Sequence, residues 1–369
     1  MTTYFCYRID GKVDAVSSIL GKDKSQVNNM SEIDSEKENV MRLLLSGQQE
    51  SIELGLEVAN SLQIDIEAFK NDMNTLYDWV EKTRQWGESL SLSEKIVRLL
   101  SLPRISHSGQ LGFEGFTPLD CIPPQIKYLL SLEVLALSFN HILELPVEIG
   151  YLRNIEILIL SGNRISVIPS EIGQCQKLEI LDLEETNLQQ LPPEIGKCSF
   201  LETLKLKSNK LESLPEELGN CQQLRYLYLN DNNLHTIPST IGKLKKLRSL
   251  QLSQNPLQTL PEEISGLENL EILDLQSTNL LCLPSSIGKL SRLERLTLEN
   301  AQLQALPASI RELKKLKYVH LNNNQLTELP VGISKLRNLD LLDLSGNPLS
   351  IQEKVKIKSW LPHCEIRFE

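Results

Sequence analysis

Three cysteines, Cys175, Cys198 and Cys221, stand 23 residues apart. Thiols at a fixed step have three uses: they ligate a metal, close a disulfide, or fill equivalent places as small hydrophobes. The column they occupy holds Leu152, Leu244, Leu267, Leu290, Leu313 and Leu336 elsewhere. Buried, reduced thiols are therefore the expected use. The seven cysteines are an odd number with no Cys-x-x-Cys pair. That points to a reducing compartment and hence to a cytoplasmic protein.

Other chemistry is not written in recognisable form. The five histidines (107, 141, 235, 320, 363) fall in different columns or rungs, and no His-Glu-x-x-His metal motif occurs. Neither a Gly-x-x-x-x-Gly-Lys-Ser/Thr phosphate loop nor a Gly-x-Ser-x-Gly nucleophile turn is present, and the kinase loop signatures are missing. No catalytic residue, metal or cofactor is expected, and the chain reads as a non-enzyme. A net charge of -10 and a pI near 5.2 provide no overall basic field for nucleic acid or an anionic membrane. The opening residues lack a basic stretch followed by an apolar one, and no run of 18 apolar residues occurs. Neither a signal peptide nor a transmembrane helix is expected.

The 23-residue step extends far beyond the cysteines. It links Asn140, Asn163, Thr186, Asn209, Asn232, Asn255, Thr278, Ala301, Asn324 and Asn347, and it also links ten prolines from Pro123 to Pro330. One rung reads Leu132-x-x-Leu135-x-Leu137-x-x-Asn140-x-Ile142-x-x-Leu145-Pro146-x-x-Ile149-Gly150-x-Leu152. Residues 134–138 alternate apolar with variable positions, the pattern of a strand with one buried face. Ten such parallel strands at ~4.8 Å make an arc on the order of 45 Å. The proline half cannot continue the sheet, because proline lacks a donor and fixes φ, so it turns the chain over the outer side. The asparagine column is expected to satisfy backbone groups where the chain leaves the strand. Thr186 and Thr278 keep part of that capacity, whereas Ala301 keeps none and marks the weakest rung.

These rungs resemble leucine-rich repeats of the 23-residue Leu-Pro-x-x-Ile-Gly type, found in bacterial cytosolic proteins and in the plant intracellular Ras-group-related family. The resemblance covers roughly residues 110–369. It implies an α/β fold: a leucine-rich repeat solenoid, a right-handed horseshoe with a parallel concave sheet, preceded by a small, mostly helical N-terminal region. The expected organisation is a helical region at 1–88, a junction and N-terminal cap at 89–130, ten repeats at 131–349, and a C-terminal cap at 350–369. Helices are expected over about 35–46, where Ser35 would be the N-cap, over 52–62, and over 65–85. In the junction, residues 111–130 read as a degenerate first rung, with Gly112 and Glu114 in the strand positions and Leu119 and Ile122 in register. At the far end Ser350 is expected to cap a helix at 351–360, with a last strand near 364–368.

Side chains alternating with the buried leucines face outward from the sheet and are free to carry function. Most are polar, but Val134, Ile157, Ile159 and Ile180 cluster, and exposed apolar clusters mark interaction sites. Beside them lie Asp182 and Glu184, Lys205 and Lys207, then Tyr226 and Tyr228. Tyrosines and apolar anchors dominate interface energetics, while charges set register. The bland alternative is that the opposite charges are cross-strand pairs that satisfy each other. The pattern therefore predicts a non-catalytic protein-protein interaction module or scaffold, with a protein partner held by these nine residues and neither nucleic acid nor membrane as a partner. The alternative, by analogy with the plant family, is a regulator of an enzyme such as a small GTPase, with the N-terminal helices as effector.

Overall fold

The computed structural model describes residues 30–84, Lys95, Leu99, 104–106 and 118–369. These form two compact units: residues 30–81 with Lys95 and Leu99, and residues 82–84 with 104–106 and 118–369. Expectations for residues 1–29, for the start of the junction at 89–94 and for Gly112 and Glu114 lie outside the described residues.

Three helices are described at the N-terminal end: α1 (Met30–Leu44), α2 (Gln49–Ser61) and α3 (Glu67–Arg84). α1 starts ahead of the expected cap, so Ser35 is an interior residue. The sequence accounts for this, since Ile33 stands one heptad before Val40 and the apolar stripe begins before the serine. Val40, Leu44, Ile52, Met73, Leu76 and Val80 are fully buried. α1 ends before Gly47, which takes φ 74 in the turn, a conformation glycine enters without a Cβ penalty.

The second unit is one continuous parallel sheet of twelve strands in chain order. After β1 (Arg104–Ser106) come β2 (Val134–Ala136), β3 (Ile157–Ile159), β4 (Ile180–Asp182), β5 (Thr203–Lys205) and β6 (Tyr226–Tyr228). Then follow β7 (Ser249–Gln251), β8 (Ile272–Asp274), β9 (Arg295–Thr297), β10 (Tyr318–His320), β11 (Leu341–Asp343) and β12 (Glu365–Arg367). The strands are three residues long, shorter than the five-residue alternating segment. Inter-rung bonding nevertheless runs on past them: Leu137 donates to the Ile159 carbonyl at 2.7 Å and Phe139 to that of Ser161 at 2.7 Å. From β2 to β11 each residue pairs with its equivalent one 23-residue step away, as Val134 does with Ile157.

The first rung departs from that step. Ile105 of β1 pairs with Leu135, a separation of 30 residues. The strand thus comes seven residues earlier than the periodicity dictates. Register returns in the same rung, because Leu119 is buried and its N–H donates to Asn140 Oδ1 at 2.8 Å. At the other end Ser350 Oγ accepts from the Glu353 N–H at 3.1 Å and caps α4 (Ile351–Trp360). β12 then pairs with β11. These elements cover the last leucine-rich layer, which a stacked solenoid cannot leave open to water.

Each outer turn is a five-residue 3-10 helix entered from proline, such as Val147–Tyr151 after Pro146. Proline fits because its φ of about -67 suits the extended entry position, and its carbonyl accepts from Ile149 N at 3.0 Å. The following glycine is required by packing: a Cβ on Gly242 would collide with the Glu263 carbonyl oxygen of the next rung.

The polar ladder works through both ends of each amide. Asn163 Nδ2 donates to the carbonyls of Leu137 and Leu160, both at 2.8 Å, and its Oδ1 accepts from Ile142 N at 3.0 Å. Thr278 keeps one bond, from Oγ1 to the Leu275 carbonyl at 2.8 Å. Ala301 offers nothing to the Leu280 N–H, the group that an asparagine in this column takes 21 residues back. Ala301→Asn should therefore raise the urea midpoint, by up to about 1 kcal/mol of stability. A clear fall would mean that the fully buried site has no room for the amide.

The three stacked thiols lie on the buried side, fully shielded from solvent. Each donates to a carbonyl one rung back: Cys175 to Ile149 at 3.4 Å, Cys198 to Ile172 at 3.4 Å and Cys221 to Ile195 at 3.3 Å. Burial pushes their pKa values up to about 12, 11 and 12 respectively. A thiolate is the reactive species, so the exposed Cys121 and Cys282 should react with a thiol reagent well before these three. Labelling of Cys175, Cys198 or Cys221 as fast as that of Cys282, followed by peptide mass spectrometry, would contradict this packing.

Candidate partner-binding face

Parallel pairing places the outward positions in straight columns. Ile157 lies beside Ile180, and Ile159 beside Asp182. Asp182 lies beside Lys205, and Thr203 and Lys205 lie beside Tyr226 and Tyr228. The structure thus brings the nine sequence-predicted residues together on strands β3 to β6 and the positions just after them. Their exposure is uneven. Tyr226 is 37 % exposed, while Ile157, Ile159, Ile180 and Tyr228 are half-buried.

The charges divide into two kinds. Asp182 is buried, and it accepts from Lys205 Nζ at 3.0 Å and from the Glu184 N–H at 3.1 Å. Here the bland reading holds: Asp182 and Lys205 complete each other. Burial draws the Lys205 ammonium down, but the hydrogen bond and charge of Asp182, with Glu184 and Tyr228, outweigh it and leave its pKa raised. Glu184 has a different standing. Burial first, and then the charge of Asp182, push its carboxyl above the usual range, against the pull of Lys205 and Lys207. A carboxylate held in that state gains from any further cation brought to it. Lys207 is exposed.

The next strands hold features that the periodicity did not single out. Asn230 and Ser249 sit in outward columns yet are only 8 % and 4 % exposed. Asn230 Oδ1 and Ser249 Oγ have no hydrogen-bond partner. An unpaired buried polar atom costs about 1–3 kcal/mol, and such atoms in a well-satisfied fold call for an explanation. Asp274 lies one strand further on, where burial pushes its carboxyl up against the pull of the Gln276 N–H and the Ser253 hydroxyl. Asparagine and serine are ordinary on a solvated strand, so their letters carried no signal of burial. Among the described residues no group of three His, Cys, Asp or Glu side chains is placed to hold a metal ion. No described helix is long and apolar enough to cross a membrane.

Comparison with known proteins bears on the repeats. A family model described as leucine rich repeat matches residues 130–188 and 291–349. A second, a leucine-rich repeat region, matches 172–250 and 235–316. No curated protein matches the chain. Among solved structures, a Leptospira interrogans LRR protein is 31 % identical over 76 % of this chain and 93 % of its own, with a TM-score of 0.44. The plant peptide hormone receptor RGFR1, solved in complex with RGF2, is 33 % identical over 69 % of this chain and 45 % of its own, with a TM-score of 0.57. A TDR receptor is 29 % identical over 73 % of this chain and 47 % of its own, with a TM-score of 0.63. The chain thus spans under half the length of either receptor. With the two models together running without a gap from residue 130 to 349, the chain belongs to the leucine-rich repeat family.

Proposed function

We propose that this chain is a non-catalytic interaction module or scaffold of the Leu-Pro-x-x-Ile-Gly type that holds a protein partner on the concave face of its repeats, across strands β3 to β6. The observation that carries the reading is the side-by-side placement of Ile157, Ile159 and Ile180 on a face whose other outward positions are mostly polar. Half-buried isoleucines supply area to be covered, and Tyr226 and Tyr228 supply rigid amphipathic rings. Glu184 and Lys207 remain available to a partner's charges, while the Asp182–Lys205 pair shapes the surface between them. The peptide hormone receptor found in complex shows a related chain, 33 % identical, with a ligand. The unbridged thiols of Cys175, Cys198 and Cys221 suit a reducing, cytoplasmic setting.

The test is affinity capture from the source cell with the full chain as bait, read by mass spectrometry. A chain carrying Tyr226→Ala and Tyr228→Ala serves as the control. A partner retained by the first and lost by the second supports the reading. A partner held equally by both would move the site elsewhere.

A further inference from the structure

The polar defects on β6 to β8 stand on neighbouring rungs of one face, and their chemistry bears on what they lack. Asn230 Nδ2 donates to Ser253 Oγ at 2.6 Å. The Asp274 carboxylate, one rung on, accepts from the Gln276 N–H at 3.1 Å. With its Nδ2 given to Ser253, Asn230 is left with Oδ1 as the unpartnered end. Ser249 Oγ is unpartnered on the strand between, in register with Tyr226 on one side and Ile272 on the other. The group thus presents a carboxylate held by a backbone N–H, an amide oxygen that only accepts, and a hydroxyl without a partner. N–H donors meet the first two, and the hydroxyl accepts one as well.

We propose that β6 to β8 seat a partner segment carrying a basic side chain, arginine foremost, which pairs with Asp274 while Asn230 Oδ1 and Ser249 Oγ take N–H donors from the same segment. This rests on the reading that the concave face holds a protein partner, and it extends that site beyond the nine residues named above. Charge complementarity selects the occupant: an acceptor set with a carboxylate discriminates against acidic segments, which would face like charge without a donor. Arginine outranks lysine because its planar fork carries several N–H groups and stacks on aromatic faces, which Tyr226 and Tyr228 supply beside Ser249 and Gln251. The raised state of the Asp274 carboxyl agrees, since a cation would relieve a buried carboxylate. The two oxygens are closed to solvent, so the segment reaches them by turning surface side chains aside. Tyr226, in register with Ser249 and 37 % exposed, is the one placed to move.

The test is a selection of random linear peptides displayed on phage against the immobilised full chain, with counter-selection on the Asp274→Asn chain. Asparagine retains an acceptor for the Gln276 N–H, so that variant should melt like the native protein. The expected result is enrichment of peptides sharing an arginine or lysine. Each should lose at least about tenfold in affinity on Asp274→Asn and on Ser249→Ala, and should be unaffected by Lys289→Ala on the outer turns. Peptides that depend on Tyr226 but show no basic preference and ignore Asp274→Asn would overturn this anchor while leaving the partner-binding reading intact. Failure to recover any peptide sensitive to inner-face substitutions would overturn the anchor as well, with the capture experiment then deciding the broader reading separately. If the two oxygens are merely met by buried water, the same selection yields no basic preference, and the proposal falls.

Discussion

Asn209→Ala is expected to lower the stability of the repeat unit by about 1–3 kcal/mol, the cost of stranding a buried backbone group. The native amide makes five bonds. Its Nδ2 donates to the carbonyls of Leu183, Leu206 and Lys207, and its Oδ1 accepts from the Leu188 N–H and the Thr186 hydroxyl. All three carbonyls have second donors: Thr186 Oγ1 for Leu183, Asn232 Nδ2 for Leu206 and the Glu185 N–H for Lys207. The loss therefore concentrates on one group, the Leu188 N–H, for which alanine offers no acceptor. The stranded donor lies on the rung that already carries Thr186 in place of asparagine, so the ladder has little redundancy there. Urea unfolding monitored by circular dichroism checks this, with Lys210→Ala, an exposed neighbour, as the reference. A midpoint shift no larger than that of the reference would mean that the ladder does not carry backbone bonds.

The sequence was most legible where a structural demand repeats. Leu135, Leu158 and Leu181 are buried at equivalent positions because each strand must present the same side chain to the same core, so one rung predicts the next. Ser350 was legible for a different reason, since a capping serine ahead of a helix that Leu361-Pro362 stops has its own local pattern. The first rung was not, because its strand stands 30 residues before β2 and Ile105 has no repeated neighbour to betray the shift. On the inner face the letters set position but not burial. Asp182 and Glu184 look alike as a pair of acids, yet one is closed by Lys205 and the other is left half-buried with a raised carboxyl pKa. Ser249 and Asn230 show the same limit. Whether a small polar side chain meets solvent or sits beneath its neighbours depends on what the adjacent rungs place over it, and a column pattern does not encode that.

The double substitution Tyr226→Ala with Tyr228→Ala should weaken the captured partner by at least about 2 kcal/mol, roughly thirtyfold. The two rings stand on one strand with buried Leu227 between them, so both project to the inner face. Removing them takes away stiff apolar area and leaves the core untouched, and the melting temperature should hardly move. Reversal of the charges at Lys205 and Lys207 is expected to act differently. Lys205 is tied to Asp182 at 3.0 Å, so its reversal sets two negative charges together and carries a cost to folding as well as to encounter. Lys207 is exposed, and Lys207→Glu alone should change the association rate, with an effect that shrinks as salt is added. Stopped-flow association at two ionic strengths separates these cases. If the tyrosine variant binds like the native chain while deletion of residues 1–88 abolishes binding, recognition belongs to the N-terminal helices, and the concave face serves only to hold the repeats together.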